Sequence, residues 1–281
     1  MKRSLFFALI LLTGSYSGMA HAATSEYVGT TLNWFEPTNW STGSVPDATT
    51  DVVIVGAQVE LDPALGAGPV EVRDISLENS ATLTLLPGTD LTYNDMTITD
   101  SQLYTQSSEL SGDEMTTATS TAPNGEGQGG PTFNPTTNDN RSIKITVGTA
   151  SFGLGGDVPA STGNTGAGFY ATIVTDEAEL GAELELELFY GFTPSVGDSF
   201  QIITVADSLT GIFAGLPEGA TAASFGSVDL LISYAGGDGN DVVLTAANAG
   251  PTPGLPVAGG AGLLVMAGLL ATFGAARHRG H

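Results

Sequence analysis

Short runs in which apolar and polar residues alternate fill the region from Asp51 to about Leu110. They read DVVIVG, AQVEL, VEVRDISL, ATLTLL and MTITDSQLY, and turns such as ENS, LPG and YND separate them. Runs of four to eight residues that are rich in Val, Ile, Thr and Leu, with a period of two, are typical of β-strands. Nothing in this region has a helical period. The pattern therefore predicts an all-β protein.

The same alternation resumes with SIKITVG and continues to SVDLLISYAGGDGNDVVLTA. Within ELELEL, residues 183–188, strand period places three glutamates on one face and three leucines on the other. Between the two halves, residues 112–141 are dominated by Thr, Gly, Pro and Asn and contain few large apolar residues. Such a composition predicts an exposed loop or linker.

The spacing between runs favours a β-solenoid. Successive runs recur at roughly the twenty residues of one solenoid coil, although no strict repeat is visible. The predicted solenoid has two parts, residues 23–111 and 142–247, on either side of the loop. A β-sandwich uses similar strands and turns and is the alternative.

The N-terminus has the pattern of a secretory signal peptide. Lys2 and Arg3 precede an apolar run, and small residues follow up to Ala20 and Ala22. This order predicts cleavage after Ala22, so that residues 1–22 are removed and the mature chain is exported.

The C-terminus contains a candidate transmembrane helix. Residues 257–276 are twenty residues without a charge, just enough to cross a bilayer as a helix. A Pro/Gly linker, residues 248–256, precedes this segment, and the basic tail of residues 277–281 follows it. By the positive-inside tendency, the tail lies in the cytoplasm and the large N-terminal part lies outside.

Together, the proline motif, the apolar helix and the basic tail resemble the PEP-CTERM sorting signals of Gram-negative envelopes. The residues that carry the resemblance are Pro251, Thr252, Pro253, Arg277 and Arg279. That class has Val-Pro-Glu-Pro where this chain reads Gly-Pro-Thr-Pro, so the glutamate is absent here. The resemblance implies initial anchoring in the inner membrane and an exosortase-type protease as partner. If that protease acts, the anchor is temporary; otherwise it is a plain membrane anchor.

Charge and composition exclude several classes of function. Between the signal peptide and the tail lie thirty acidic residues but only Arg73, Arg141 and Lys144, a formal charge of −27. Such a surface repels nucleic acid and anionic membranes but attracts divalent cations. The chain has no cysteine, and its three histidines lie at the ends. Nucleophile systems that need His or Cys, zinc sites of the usual kind and disulfides are therefore excluded, which leaves carboxylate chemistry.

Three acidic or amide residues are candidate calcium ligands. GGDGNDVVL, residues 236–244, fits the nonapeptide pattern G-G-x-G-x-D-x-U-x of calcium-binding β-rolls. A lone copy supplies half of a calcium cage, whereas its glycines and the strand-like runs beside it favour a tight hairpin. The hairpin is the preferred interpretation, and calcium at Asp238, Asn240 and Asp241 is the alternative. No other cofactor is expected.

Two further groups have more than one interpretation. Trp34 and Trp40 either stack on sugar rings or, preferably, fill the first coil of the core. The row of Glu183, Glu185 and Glu187 either supplies a glycosidase pair about 7 Å apart or, preferably, forms a solvated face.

A second resemblance concerns the region after residue 179. Its pattern resembles the closing coils of autotransporter-associated β-repeat proteins and related planctomycete-type surface proteins. The matching residues are Leu180, Gly181, Leu184, Leu188, Gly191, Phe192, Pro194, Gly197, Asp198, Phe200, Ile202, Gly211 and Phe213. The stretch NWFEPTNW near the N-terminus is similar to the start of such modules. The resemblance implies a right-handed parallel β-helix at the cell surface.

These observations predict an exported structural or adhesive protein of the cell surface or extracellular matrix, without catalysis. Envelope or matrix polysaccharide is the expected binding partner, and membrane contact is expected only through residues 257–276. The alternatives are a carbohydrate-active enzyme that uses carboxylates and a calcium-dependent glycan-binding module.

Overall fold

The computed structural model describes residues 23–66, 68–118, 130–134, 137–161 and 163–250, and these residues form an all-β structure. The helical element among them is a single 3-10 turn, Pro37–Asn39. The larger sheet consists of β1 (Ala23–Glu26), β2 (Thr50–Val55), β4 (Val70–Glu71), β5 (Asp74–Glu78), β7 (Asp90–Thr92), β8 (Asp95–Thr99), β10 (Glu109–Ala118), β12 (Thr137–Ile145), β16 (Thr172–Leu180), β18 (Ser199–Gly211), β19 (Thr221–Phe225), β20 (Val228–Gly236) and β21 (Asp241–Asn248). We refer to it as the first sheet.

The second sheet is smaller, and its strands alternate in the sequence with strands of the first sheet. It consists of β3 (Gln58–Leu61), β6 (Thr82–Leu85), β9 (Gln102–Gln106), β11 (Pro131–Asn134), β13 (Thr149–Leu154), β14 (Val158–Pro159), β15 (Phe169–Tyr170) and β17 (Glu183–Leu188). The strands predicted from the period-two runs are confirmed, since each of those runs contains a strand.

Most strands pair in parallel with a strand from the next stretch of the chain. The first sheet runs β1, β2, β5, β8, β10, β12, β16 and β18 in parallel, and the second runs β3, β6, β9, β11, β13 and β17. Val52 pairs with Ile75, Ile75 with Met96, and Met96 with Met115, which gives intervals of 23, 21 and 19 residues. These three intervals are close to the twenty residues expected from the sequence, whereas the next two are longer: Met115 pairs with Ile143 and Ile143 with Ala178, which gives 28 and 35 residues.

The register places the same type of side chain on the inner face of each strand. Val52, Ile75, Met96, Met115 and Ile143 form one buried row in the first sheet. The corresponding row of the second sheet contains Leu61, Leu85, Thr105, Phe133, Phe152 and Leu186. Apart from Thr105, which is a buried polar residue, both rows belong to one hydrophobic cluster. Each buried aliphatic or aromatic side chain contributes about 1.5–3 kcal/mol, so this cluster is the main source of stability.

Aromatic side chains close the N-terminal end of the core. Trp34 and Trp40 are 0% and 2% exposed and pack edge to face with ring centroids 4.8 Å apart. The Trp40 Nε1–H donates to the carbonyl of Trp34 at 2.7 Å, and Tyr27 packs edge to face against Trp40. Both tryptophans therefore fill the core, as preferred from the sequence, and their rings are not exposed for stacking on sugars.

An antiparallel segment closes the other end. Strand β18 pairs with β21, β21 with β20, and β20 with β19. Gly236 pairs with Asp241, so residues 237–240 form the loop of a hairpin. The predicted hairpin is confirmed.

The Thr- and Gly-rich segment differs from its prediction as a loop or linker over residues 112–141. Strand β10 continues to Ala118, β11 covers Pro131–Asn134, and β12 begins at Thr137. The reason is that threonine is β-branched and suits a strand, and that Met115 and Phe133 are buried in the core. Residues 119–129 and 135–136 lie outside the described residues.

Both predicted membrane-related segments also lie outside the described residues. They are the signal peptide, residues 1–22, and the apolar helix of residues 257–276 with its tail. Within the part of the chain that the structure describes, no helix has the length and apolar character needed to span a membrane.

Candidate functional site

Four carboxylates stand side by side on the outer face of the first sheet, and we refer to them as the carboxylate row. Asp74 pairs with Asp95, and Asp95 with Glu114. Asp51 lies beside Asp74 because the next residues, Val52 and Ile75, are partners. Neighbouring strands are about 4.8 Å apart, so the row brings like charges close together.

All three basic residues of the described part of the chain lie along this face. Arg73 forms ion pairs with Asp51 and Asp74, the second with Nε and Oδ2 3.3 Å apart. The Lys144 Nζ lies 2.8 Å from Glu114 Oε2. Arg141 pairs with Asp113, one residue before Glu114. The cations therefore offset part of the repulsion at both ends of the row.

Asp95, in the middle of the row, forms no ion pair with the cations of the described residues. Partial burial raises its pKa, and the negative charges of Asp74 and Glu114 raise it further. The pKa of Glu114 is lowered instead, chiefly because the Lys144 ammonium donates a hydrogen bond to it. Two adjacent carboxyl groups thus differ in proton affinity, which is the arrangement that acid–base chemistry uses.

Asp51, Asp74 and Asp95 of the row line an open groove. The groove has a volume of about 370 Å³, and the hydroxyl groups of Thr24, Ser76 and Thr97 lie among the carboxylates. A second depression of about 310 Å³ lies further along the same sheet and is lined by Asp113, Asp139, Arg141 and Asp176, among others. Hydroxyl and carboxylate groups over such a length suit a hydroxylated or cationic polymer better than an apolar ligand.

Of the predicted calcium ligands, Asp238 and Asn240 lie in the loop between β20 and β21, and Asp241 begins β21. Asp238 is exposed, whereas Asp241 is 3% exposed and directs its carboxylate towards β18. Its Oδ1 accepts from the Val205 N–H at 2.7 Å, and its Oδ2 accepts from Gln201 Nε2 at 2.9 Å. No group of three or more Asp, Glu or His residues suited to a metal occurs in the described ranges. Calcium at Asp238, Asn240 and Asp241 stays a prediction.

The glutamate row of β17 has the orientation expected from the sequence. Glu183, Glu185 and Glu187 are exposed, and the leucines between them pack towards the core. The Ser151 hydroxyl donates to Glu185 at 3.3 Å. Among the described strands β17 pairs with β13 alone, so its outer edge is a sheet edge.

Sequence reasoning missed the carboxylate row, although a signal for it exists. In successive runs an acidic residue directly precedes an inward-facing apolar side chain, as in DVVI, DISL, DMTI and EMTT. Without the register, nothing indicates that these four residues are neighbours. The candidate sorting residues Pro251, Thr252, Pro253, Arg277 and Arg279 lie outside the described residues.

Comparison with known proteins adds no relative: no family model, no curated protein and no solved structure matches this chain. Function therefore has to follow from the chain's own residues.

Proposed function

We propose that this chain is an exported structural or adhesive protein of the cell surface or extracellular matrix, built as a right-handed parallel β-solenoid. The observation that carries the proposal is the continuous stack of parallel strands whose inner rows form one core. In a solenoid each coil buries its apolar face against the next, so an elongated protein gains stability without disulfides or metals. This agrees with a chain that has no cysteine.

The outer face of the first sheet supports an adhesive role. The carboxylate row and the second depression present acidic groups and hydroxyls along several consecutive strands. Polysaccharide hydroxyls donate hydrogen bonds to carboxylates, and divalent cations bridge carboxylates to acidic polymers. We therefore propose that this face binds envelope or matrix polysaccharide.

Export and sorting rest on the ends of the sequence. The signal peptide of residues 1–22 directs export, residues 257–276 anchor the chain in the inner membrane, and an exosortase-type protease then releases it. The strongly acidic mature chain is suited to remain soluble outside the cell.

The adhesive role is tested by the retention of the full-length protein on extracellular polysaccharide from the cells that produce it. Replacing Asp74 and Asp95 by Asn and Glu114 by Gln should reduce the retained fraction several-fold. The matched control replaces Glu183, Glu185 and Glu187 by Gln, which removes the same number of charges from another strand. Equal retention of both variants and the parent would contradict an adhesive role for the carboxylate row.

One observation favours a second candidate, a carbohydrate-active enzyme. Asp95 and Glu114 are adjacent, and their pKa values are shifted in opposite directions. Carboxyl groups roughly 5 Å apart are typical of retaining glycosidases, in which one acts as acid and the other as nucleophile. In that case Asp95 is the acid, and release of reducing sugar from matrix polysaccharide should disappear in both Asp95→Asn and Glu114→Gln.

A further inference from the structure

A tyrosine occupies a tight turn that suits glycine or asparagine better. Directly after β17, the Phe192 N–H donates to the Phe189 carbonyl at 2.9 Å. The two residues between them, Tyr190 and Gly191, have positive φ values of 54° and 74°. Positive φ at both central positions is the signature of a type I′ turn, in which Gly, Asn and Asp predominate. The backbone at Tyr190 is therefore strained, because the Cβ of an L-residue is crowded in this conformation.

Burial in the core does not offset this strain. Tyr190 is 60% exposed and lies outside the hydrophobic cluster. A single exposed aromatic residue is ordinary on a protein surface, but this one is both exposed and strained, so it contributes little to stability. Strained residues of this kind cluster at binding and active sites. Tyr190 is therefore a candidate for contact with a ligand.

The Tyr190 side chain extends along the stack of coils. Its hydroxyl lies 3.2 Å from Ser107 Oγ, within hydrogen-bond distance, although the two residues are 83 positions apart in the sequence. In the second sheet, β13 and β11 separate β17 from β9, and Ser107 directly follows β9. The side chain therefore spans the ends of the intervening strands. It is fixed at one end by the turn and at the other by Ser107.

A glycine-rich loop, residues 163–168, lies beside the hydroxyl end of the ring. A Cβ at Gly166 would be 3.0 Å from Ser107 Oγ and 3.9 Å from the Tyr190 hydroxyl, so the loop backbone approaches both groups closely. A Cβ at Gly163 would meet no atom within 4 Å, which shows open space beside this part of the loop. The Gly163 N–H donates to Glu109 Oε1 and holds that carboxylate next to the loop. We refer to the Tyr190 ring with Ser107, Glu109 and this loop as the tyrosine platform.

We infer that the tyrosine platform binds a pyranose ring of a polysaccharide. The C–H face of a pyranose is apolar and packs on the exposed aromatic ring, while the sugar hydroxyls bond to the Ser107 hydroxyl and the Glu109 carboxylate. Because the Tyr190 ring is held at both ends, it loses little freedom on binding. The formal charge of −27 disfavours anionic sugars. The inference rests on the proposed adhesive function and names a ligand class and a contact residue for it.

Saturation-transfer NMR tests the platform with the full-length protein in micelles of a polyoxyethylene detergent. Cellotriose and maltotriose are the neutral probes, trigalacturonate is the anionic probe, and tetramethylammonium is the cationic one. Saturation should pass from the protein to the ring protons of a neutral trisaccharide, and Tyr190→Ala should abolish it. Leu65→Ala, which shortens a side chain of similar exposure (57%) between β3 and β4, should leave it unchanged. The inference is overturned by no transfer to either neutral probe, by transfer that persists in Tyr190→Ala, or by tighter binding of a charged probe.

Two further substitutions separate binding from folding. Tyr190→Phe keeps the ring and removes the bond to Ser107, so affinity should fall by no more than about threefold. Tyr190→Asn places a residue that suits positive φ in the turn, so Tm should stay unchanged or rise by up to roughly 2–4 °C. The same variant should bind the trisaccharide about tenfold more weakly, because the ring is lost. A lower Tm would identify Tyr190 as a structural residue, and retained binding would exclude it as a contact; either result refutes the site.

A second copy of the chain is the other occupant that an exposed aromatic residue could contact. Sedimentation velocity over a range of protein concentrations tests this alternative in the same micelles. The parent and Tyr190→Asn should sediment alike. Self-association of the parent that disappears in Tyr190→Asn would assign the platform to an interface between copies and overturn the inference.

The outcome is independent of the test for the proposed function. If the neutral sugars do not bind but substitutions in the carboxylate row reduce retention on polysaccharide, the adhesive function holds and the tyrosine platform is not its sugar site. If the sugars bind and retention is unaffected by those substitutions, the platform is a sugar site and the assignment of adhesion to the carboxylate row is wrong.

Discussion

Substitution of Asp241 is the most informative perturbation, because a calcium-binding role and a structural role for this residue predict different results. As a calcium ligand it acts together with Asp238 and Asn240. As a structural residue it joins the closing hairpin to β18 through the Val205 N–H and Gln201. Asp241→Ala removes the carboxylate in either case, whereas Asp238→Ala removes only an exposed one.

The structural interpretation fixes the size of the effect. A hydrogen bond to a charged group contributes about 1.5–3 kcal/mol, and Asp241 accepts two. Neighbouring bonds do not add fully, and removal of a buried charge recovers some solvation energy, so we expect a loss of about 2–4 kcal/mol. For a domain of this size this corresponds to a decrease in Tm of roughly 5–12 °C. Asp238→Ala should stay within about 0.5 kcal/mol of the parent.

Two assays separate the interpretations. Thermal unfolding with and without EDTA should give the same Tm for the parent protein, and hydrogen exchange should show faster exchange of the Val205 amide in Asp241→Ala. A structural role for Asp241 is refuted if EDTA reproduces the destabilisation in the parent protein, or if Asp238→Ala is as destabilised as Asp241→Ala. Either result would favour a calcium site in this loop.

Two residues of the carboxylate row give predictions of opposite sign for Tm, and strand β17 gives a prediction for self-association. Because the pKa of Asp95 is raised, its ionised form is unfavourable in the folded state at neutral pH. Asp95→Asn should therefore raise Tm near about pH 7. The gain should vanish as pH falls, because the carboxyl is then protonated in both the folded and the unfolded state. The lowered pKa of Glu114 contributes stability above the ordinary pKa of a glutamate, and this stability is lost as pH falls. Glu114→Gln should therefore lower Tm near about pH 7 and have little effect at about pH 3. If Asp95→Asn and Glu114→Gln gave the same dependence of Tm on pH, both assignments would be contradicted. On β17, replacement of Glu183, Glu185 and Glu187 by Thr removes the charges that hinder pairing of this edge strand with a second molecule. Sedimentation velocity should then detect concentration-dependent self-association. A sedimentation profile identical to that of the parent would show that the edge is protected by other means.

Strand positions and faces were predictable because they depend on local pattern. In ELELEL the alternation alone separates the three exposed glutamates from the three leucines that pack inward. The hairpin around Gly236 was predictable for the same reason, since its glycines favour a tight reversal.

Pairing between distant strands was not predictable in the same way. Asp51 and Glu114 belong to one row only because four strands align in a particular register, and intervals of 23, 21 and 19 residues do not form a visible repeat. The loop prediction for residues 112–141 was wrong at residues 112–118, 131–134 and 137–141 for a related reason. The strands of this segment are stabilised by the neighbours that Met115 and Phe133 contact in the core, which composition does not reveal.

Individual hydrogen bonds were the feature that the sequence predicted least. The sequence singled out Asp241 as a ligand candidate, but its orientation towards Val205 depends on how the hairpin folds across β18. Likewise, the sequence indicated that Trp34 and Trp40 are buried. It did not indicate that the Trp40 Nε1–H has a hydrogen-bond acceptor and the Trp34 Nε1–H has none.

The intact mass of the protein recovered from the cells that produce it tests the proposed export and sorting. We expect a chain that begins at Ala23 and ends close to Gly250, found outside the cell rather than in the membrane fraction. A full-length C-terminal segment in the membrane fraction would contradict processing, and a chain that retains residues 1–22 in the cytoplasm would contradict export.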